Sequence, residues 1–412
     1  MTSKERLLTA INGDVPDRVP LVARCFGFGP RPEWTWQRAG KPVPRWFTGR
    51  LEHIHTLPER WNLPDDDFKR VEAWLSLGLD DVLEVSAPWS VDPRVQIRDY
   101  QEPPSAQGEY PVSCREYTTP DGVLTHKIKL TGEATEPGWV IQPEQPPLFE
   151  DYNIPRATRH AVMTADDLPK LNHLLCRPSD EQLEAFRERM AMVRRFADDK
   201  QVLVAAWTLF GMDGVVWLCG AENAVMMAMT QPDLFEQVVR RVDEFDRMRT
   251  DLMLEVGGAD LIVQRGWYSS VDFWSPTLFE KNVLPYLKKN VARVHQAGKK
   301  FAYAMTSGVK PLLRYLPEAD VDLWYWCDPA MGDADNRTIR RELGGKVAVA
   351  GGVNAPLTLG KGTAAEIRRQ VTESIEGLGP AGLILEPVDS LFPNTPPHAV
   401  EAMIGAWKDV VS

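Results

Sequence analysis

Short apolar runs rich in β-branched residues recur along the chain, separated by stretches whose apolar positions follow helical spacing. The runs predict strands over residues 19–25, 81–85, 202–207, 261–264, 301–304, 323–327, 347–350 and 383–386. Alternation of strand and helix implies a parallel sheet covered by helices. Eight such units predict an α/β fold of the (β/α)8 TIM-barrel type, with an open doubly wound sheet as the alternative.

The helical stretches carry their own boundaries. Thr2 and Glu5 have capping-box spacing ahead of Leu7, Leu8 and Ile11 on one face. Ser275 and Pro276 open a helix that Pro285 should kink or divide and Gly298 should end. Thr363 and Glu366 form another capping box, ahead of an apolar stripe of Ile367, Val371, Ile375 and Leu378. Residues 231–260 read as one long helix leading into the fourth strand. Residues 92–165 break the rhythm: Pro120-Asp121-Gly122 separates two alternating runs, a β-hairpin between the second and third barrel strands. An insertion there lengthens a loop on the face where barrel strands end, and so bears on the pocket's roof. The chain is read as one barrel domain over residues 1–412, with residues 92–165 inserted in it.

Composition narrows the function classes. The 412 residues carry a net charge of −11, which argues against a general nucleic-acid binder. No apolar run approaches the roughly 18 residues of a membrane span, and the start lacks a signal-peptide core, so a cytoplasmic location is expected. Five scattered cysteines without a CxxC pair are expected to be reduced. Of the 14 tryptophans, Trp34, Trp36, Trp46 and Trp61 fall in a long loop, residues 27–65, and Trp207, Trp267 and Trp326 fall at strand ends with Tyr268. Such rings at a barrel mouth suit an aromatic or quaternary ammonium ligand. In LWYWCDP, strand alternation puts Trp324 and Trp326 on one face and Tyr325 and Cys327 on the other.

Several stretches together resemble the uroporphyrinogen decarboxylase-like superfamily, across nearly the whole chain apart from parts of residues 27–160. They are ERLLTAINGDVPDRVPL at the start, TPDGVL with MTADDLPKLNHLL, the run from GADLIVQRGWYSSVDFW to VHQAGKK, and the last two βα units from GGVNAPLTLGKG to FPNTPPHAVEAM. The middle segments look like its corrinoid-linked methyltransferase branch. The resemblance implies a (β/α)8 barrel with its site inside the C-terminal mouth. True uroporphyrinogen decarboxylases carry an RQAGR segment after the first strand; here the stretch reads RCFGFGPRP, with Arg24 and Arg31 but not the motif. Many of the methyltransferases hold zinc with a His-x-Cys after the fifth strand and a cysteine after the eighth. Here those positions fall on Met305 and Ser307 in YAMTSG and near Asp389. Thioether and hydroxyl are poor zinc ligands, so no zinc is expected. A different donor set, Cys327, Asp328 and Asp389, is the metal alternative.

Barrel geometry aims strand-end residues into one pocket. The catalytic candidates are Asp389, Glu386, Tyr303 and Arg265. The substrate-binding candidates are Trp207, Gln264, Trp267, Tyr268, Met305, Ser307, Trp326, Asp328, Asn354 and Arg24, with Glu84 beside them. Arg265 and Glu386 are a candidate buried ion pair. His126 on the hairpin is a candidate for the mouth, while His295 reads as surface or packing. Gly351-Gly352 serves either a close ligand approach or a tight turn. The resemblance implies an enzyme that demethylates a small methoxylated aromatic or methylated amine, with a corrinoid (cobalamin) supplied by a partner protein. Asp389, Glu386 or Tyr303 would give a proton and Arg265 would stabilise charge. The rivals are a decarboxylase of a carboxylated pyrrole or aromatic acid held by Arg24, Arg31 and Arg265, and a non-catalytic ligand-binding barrel. The expected partners are a small-molecule substrate, a corrinoid-binding protein and a second copy of the chain in a homodimer, with no nucleic acid and no membrane.

Overall fold

Parallel neighbours bury both faces of a strand, so the apolar runs pair side by side wherever helices can cover them. The computed structural model describes residues 1–24, 64–131, 146, 148–151, 154–328, 330–388, 391 and 395–411. In chain order the strands are β1 (Val82–Val85), β2 (Gln96–Glu102), β3 (Val112–Thr119), β4 (Gly122–Lys129), β5 (Ala157–Arg159), β6 (Leu203–Leu209), β7 (Leu261–Arg265), β8 (Lys300–Ala304), β9 (Leu323–Cys327), β10 (Ala348–Asn354) and β11 (Leu383–Val388). Seven of them form a parallel sheet in the order β1-β6-β7-β8-β9-β10-β11.

The first predicted strand, residues 19–25, is reduced to two bridges, Leu21 to Leu385 and Val22 to Asp80. They are enough to close the sheet: Leu385 N donates to Pro20 O at 2.9 Å, Val22 N to Leu385 O at 3.0 Å, and Asp80 N to Leu21 O at 2.9 Å. The result is a (β/α)8 barrel in which the opening segment is the eighth stave, joining β11 to the entry of β1. Cys25, at the end of that predicted strand, lies outside the described residues.

Strand alternation sorts side chains into two layers. Ala205, Val263, Ala302 and Ala350 face inward, packed with Leu7, Ala10 and Ile11 of the N-terminal helix Ser3–Ile11. Val204, Ile262, Phe301 and Val349 face the helices. The N-terminal helix plugs the barrel floor, fixed by its Thr2–Glu5 capping box and by Lys4 on Asp260 and Arg6 on Asp80, each at 2.6 Å. Small alanines inside leave room for the large rings near the strand ends.

The long fourth-strand helix runs Pro232–Val256. The helix after Ser275 is divided, as Pro285 requires, into Pro276–Asn282 and Leu284–Gln296. Thr363 caps Ala364–Leu378 with the expected box. The hairpin forms as β3 and β4 around Pro120-Asp121, and β2 and β5 extend it to a four-stranded antiparallel sheet in the order β2-β3-β4-β5. Its flanking strands were missed because β2, QIRDYQE, is almost wholly exposed and lacks an apolar face to read.

Gly351-Gly352 answers the question the pair posed. Gly351 has φ +142°, and a Cβ there would lie 2.4 Å from Cys327 O; at Gly352 a Cβ would lie 2.9 Å from Ser374 Cβ. The glycines absorb the close approach of β9 and of the helix Ala364–Leu378, where the β9–β10 register shifts.

Candidate functional site at the barrel mouth

Inward-facing residues at the strand ends form two arginine-centred clusters joined by a sheet of aromatic rings. In the first, Arg24 leaves the opening segment into the barrel. Its Nη1 lies 2.9 Å from Glu84 on β1, its Nε 3.0 Å from Glu386 on β11, and its Nη2 donates to Tyr325 Oη at 3.1 Å. Burial works against the guanidinium's charge, but Glu386 and Glu84 outweigh it and hold Arg24 above its ordinary value. Burial pushes Glu386 up to about 7 against the pull of Arg24 and of the Trp326 indole. The Trp326 indole lies close enough to act on Glu386, but neither Glu386 oxygen nor Trp326 Nε1 is in an aligned hydrogen bond. The contact with Arg24 is therefore an ion pair by distance alone. Tyr325 is pushed up to about 12 by burial, opposed by Arg24.

The second cluster centres on Arg265 at the end of β7. Its Nε donates to Asp213 Oδ2 and its Nη2 to Asp151 Oδ2, each at 3.1 Å. Asp213 opens the helix Met212–Cys219, also accepts from Tyr268 N at 3.0 Å, and is pushed up to about 7 by burial against Arg265. Asp151 arrives from the insertion. It accepts from Trp217 Nε1 and Tyr268 Oη, both at 2.9 Å, and its side chain is 34% exposed. The insertion thus reaches the mouth. The Arg265 guanidinium lies between two indoles, 4.6 Å from the Trp217 centroid and 4.3 Å from that of Trp267.

Between the arginines, Trp207, Trp267 and Trp326 pack with centroids 5.0–5.9 Å apart, and Tyr325 joins them at 5.6 Å from Trp326. Trp207 Nε1 donates to Glu84 at 2.8 Å, tying the ring wall to the Arg24 cluster. Trp207 and Trp267 are partly exposed, whereas Trp326 and Tyr325 are buried beneath them.

Several expected neighbours are elsewhere. The pairing of Arg265 with Glu386 is corrected: Glu386 pairs with Arg24, and Arg265 with Asp151 and Asp213. Alternation in LWYWC is also corrected, since Trp324 and Cys327 face the helices while Tyr325 and Trp326, joined by a cis peptide, both belong to the inner layer. Gln264, Tyr303 and Met305 alternate outward rather than into the mouth. Gln264 accepts from Asn290 of the helix Leu284–Gln296 at 3.0 Å, Tyr303 hydrogen-bonds Ser269, and Met305 is wholly buried in the outer layer. Ser307 donates to Asp272 at 2.6 Å.

Asp328 and Asn354 are tied to each other at 2.7 Å and to loop backbone, Asp328 accepting from Ala330 N and Met331 N and Asn354 from Leu357 N. Buried Cys327, its thiol raised by burial, faces away from the mouth, which undoes the alternative donor set. Asp389, Arg31 and the four loop tryptophans lie outside the described residues. Among the described residues, no three His, Cys, Asp or Glu side chains are grouped so that they could hold a metal ion. His126 is buried in the insertion with its ring 6.5 Å from that of His160, and His295 pairs with Asp322 at 2.7 Å, away from the mouth.

Sequence reasoning missed Asp213, Asp151, Trp217 and Tyr325. For Asp213 a signal existed: it is the one charge in the apolar run FGMDGVVWLCG directly after a strand. A lone acid in such a run must find a buried partner.

A methyltransferase from Methanosarcina mazei has the same fold: 18% identity, a TM-score of 0.58, and alignment over 100% of this chain and 99% of the other. A B12-independent methionine synthase from Shewanella sp. W3-18-1 aligns more loosely, with 10% identity and a TM-score of 0.43 over 95% and 96% of the two chains. No curated protein sequence matches. Residues 148–410, which span every strand from β5 to β11, match the family model described as uroporphyrinogen decarboxylase (URO-D), and the chain belongs to that family.

Proposed function

We propose that the protein is a methyl-transfer enzyme that takes a small methylated compound into the indole-lined mouth and passes its methyl group to a corrinoid carried by a partner. The observation that carries this reading is the joining of the Trp207–Trp267–Trp326 wall to two arginine–carboxylate clusters at the strand ends. The partly exposed indoles of Trp207 and Trp267 are the residues that would face a flat macrocycle. When bound, a reduced corrinoid supplies a two-electron nucleophile. The chain's own residues hold the methylated substrate against the rings, keep water from the buried carboxylates and fix the donor's orientation. Zinc has no part in the proposal, because the chemistry of Met305 and Ser307 suits it poorly.

The demand for a proton depends on the leaving group. An oxygen donor departs as an anion and needs a proton; Glu386, pushed up to about 7, is able to give one. A donor that is already a cation on nitrogen departs neutral and needs none. The family name suggests decarboxylation, but a carboxylated ring requires arginines open to it. Arg24 and Arg265 each already face two carboxylates. The test is a spectroscopic screen of methoxyarenes and methylated amines as methyl donors to reduced cobalamin. Methylation of cobalamin with one donor class is expected. Silence with every donor, together with CO2 release from a carboxylated pyrrole, would overturn the proposal.

A further inference from the structure

We infer that the mouth selects a methylated ammonium cation over a methoxyarene or a carboxylated ring; this rests on the methyl-transfer reading and narrows its substrate.

Charge is the first argument. The described mouth residues include two guanidiniums and four carboxylates: Arg24 with Glu84 and Glu386, Arg265 with Asp151 and Asp213. With Glu386 and Asp213 protonated, the two clusters are neutral; with either ionised, the mouth is negative. The two guanidiniums are matched as long as two of the four carboxyls are ionised. Among the described residues an entering anion therefore finds no unmatched cation at the mouth, while a cation is attracted.

Ring geometry is the second. The protein already places cations on this wall: the Arg24 guanidinium carbon is 4.7 Å from the Tyr325 centroid and 5.3 Å from that of Trp326, and Arg265 is 4.3 Å from Trp267. Trp207 lies between them, partly exposed and with its indole N–H fixed on Glu84. It stacks with Trp267, Tyr325 and Trp326, and among the described residues no side-chain cation lies over the part of its ring left exposed. A quaternary ammonium group on that face gains the same attraction. Buried polar atoms lie beneath it without aligned partners: both Glu386 oxygens and Trp326 Nε1.

The leaving group is the third. Methyl transfer from a quaternary ammonium breaks one C–N bond. The electron pair would stay on nitrogen, a partner-borne reduced corrinoid would supply the two electrons that take up the methyl carbon, and a neutral tertiary amine would depart. No proton moves, so the site needs neither a free acid nor a free cation. Transfer from a methoxyarene would leave a phenolate; both arginines are already engaged, so it would depend on the one proton held by Glu386 beneath the rings.

The test titrates the full chain, with no corrinoid present, with choline, its neutral isostere 3,3-dimethylbutan-1-ol, anisole and benzoate, following indole fluorescence and calorimetric heat. Choline is expected to bind at least about tenfold more tightly than the isostere, a difference typical of a desolvated cation–π contact. The preference should vanish in Trp207→Leu and persist in Trp207→Phe, with both variants checked for an unchanged thermal midpoint. Equal binding of choline and the isostere, tighter binding of anisole or benzoate, or no binding at all would overturn the inference. The two proposals fail separately. Methyl transfer from anisole alone would keep the enzyme reading and remove the cation. Choline binding without transfer from any donor would keep the cation site and remove the enzyme reading.

Discussion

Arg24 shows how much one buried side chain can carry. It joins the opening segment to β1 and β11 through ion pairs and to β9 through the Tyr325 hydroxyl, and the side chains of Glu84 and Glu386 are 5% and 0% exposed. Removing one member of a buried ion pair leaves the other charge uncompensated, at a cost of about 3–5 kcal/mol. Arg24→Met should therefore destabilise the protein by about that amount in urea unfolding. Glu386→Gln in the same background should return part of it, because the stranded carboxylate is then neutral. If the two changes prove additive, the pair is not energetically coupled and the Arg24 cluster is mere proximity. Asp213 has a different role. It fixes Arg265 through Nε and the Tyr268 backbone through N–H, so it positions the cation that Asp151 reaches. Asp213→Asn keeps an acceptor for Tyr268 N but removes the charge, and should weaken the Arg265–Asp151 contact. Faster proteolysis of the insertion near Asp151, at an unchanged cleavage pattern elsewhere, is the expected readout.

At the scale of elements, strand and helix boundaries were legible because they are written locally. Pro285 divides its helix, Thr363 caps the next, and Pro120-Asp121 turns the hairpin. What was not legible was facing. A strand's period of two gives two faces but does not say which is inside, and a register shift or a backbone irregularity exchanges them. Strand-end position alone points Tyr303, Met305 and Gln264 to the mouth, and alternation sends all three outward. Alternation groups Tyr325 with Cys327, whereas Tyr325 is inward beside Trp326 and bonds Arg24. Partner choice was equally hidden: Arg265 and Glu386 are compatible by charge, but they lie in separate clusters. The glycines of β10 show an element-level constraint that can be tested. Gly351→Ala adds a Cβ against Cys327 backbone at φ +142°, whereas Gly298→Ala, at φ +67°, meets nothing within 4 Å. The second should cost about 1–2 kcal/mol for the left-handed backbone alone. The first should exceed it by about 1 kcal/mol or more, since backbone must move as well. Equal costs in chemical denaturation would mean that β9 and β10 can part freely.

Across the whole molecule, buried acids set how stability responds to pH. Asp213, Asp246 and Glu386 are all fully buried, and burial pushes each up to about 7 from ordinary values of 3.8, 3.8 and 4.5. In the unfolded chain these groups lose their protons near pH 4. Between about pH 4 and pH 7 the folded protein therefore binds more protons than the unfolded one, so stability falls as pH rises and levels off above pH 7. Each group contributes a slope of up to about 1.4 kcal/mol per pH unit. Asp17 and Asp92 act in the opposite direction. Hydrogen bonds from Arg6 and Arg94 hold them well below the usual carboxylate range, and their stabilisation is lost only as pH falls below about 4. The net charge of −11 adds repulsion on the alkaline side. Together these place the stability maximum in mild acid, near pH 4–5. Urea midpoints measured at pH 5, 6, 7 and 8 should decline from 5 to 7 and then flatten. Glu386→Gln and Asp246→Asn should each make that decline shallower, because a group that cannot titrate removes its own share of the slope. A midpoint that stays constant or rises between pH 5 and 7 would mean that the arginines beside these acids keep them ionised in the folded barrel. The mouth would then hold its full negative charge at neutral pH, and its pull on a cation would be stronger.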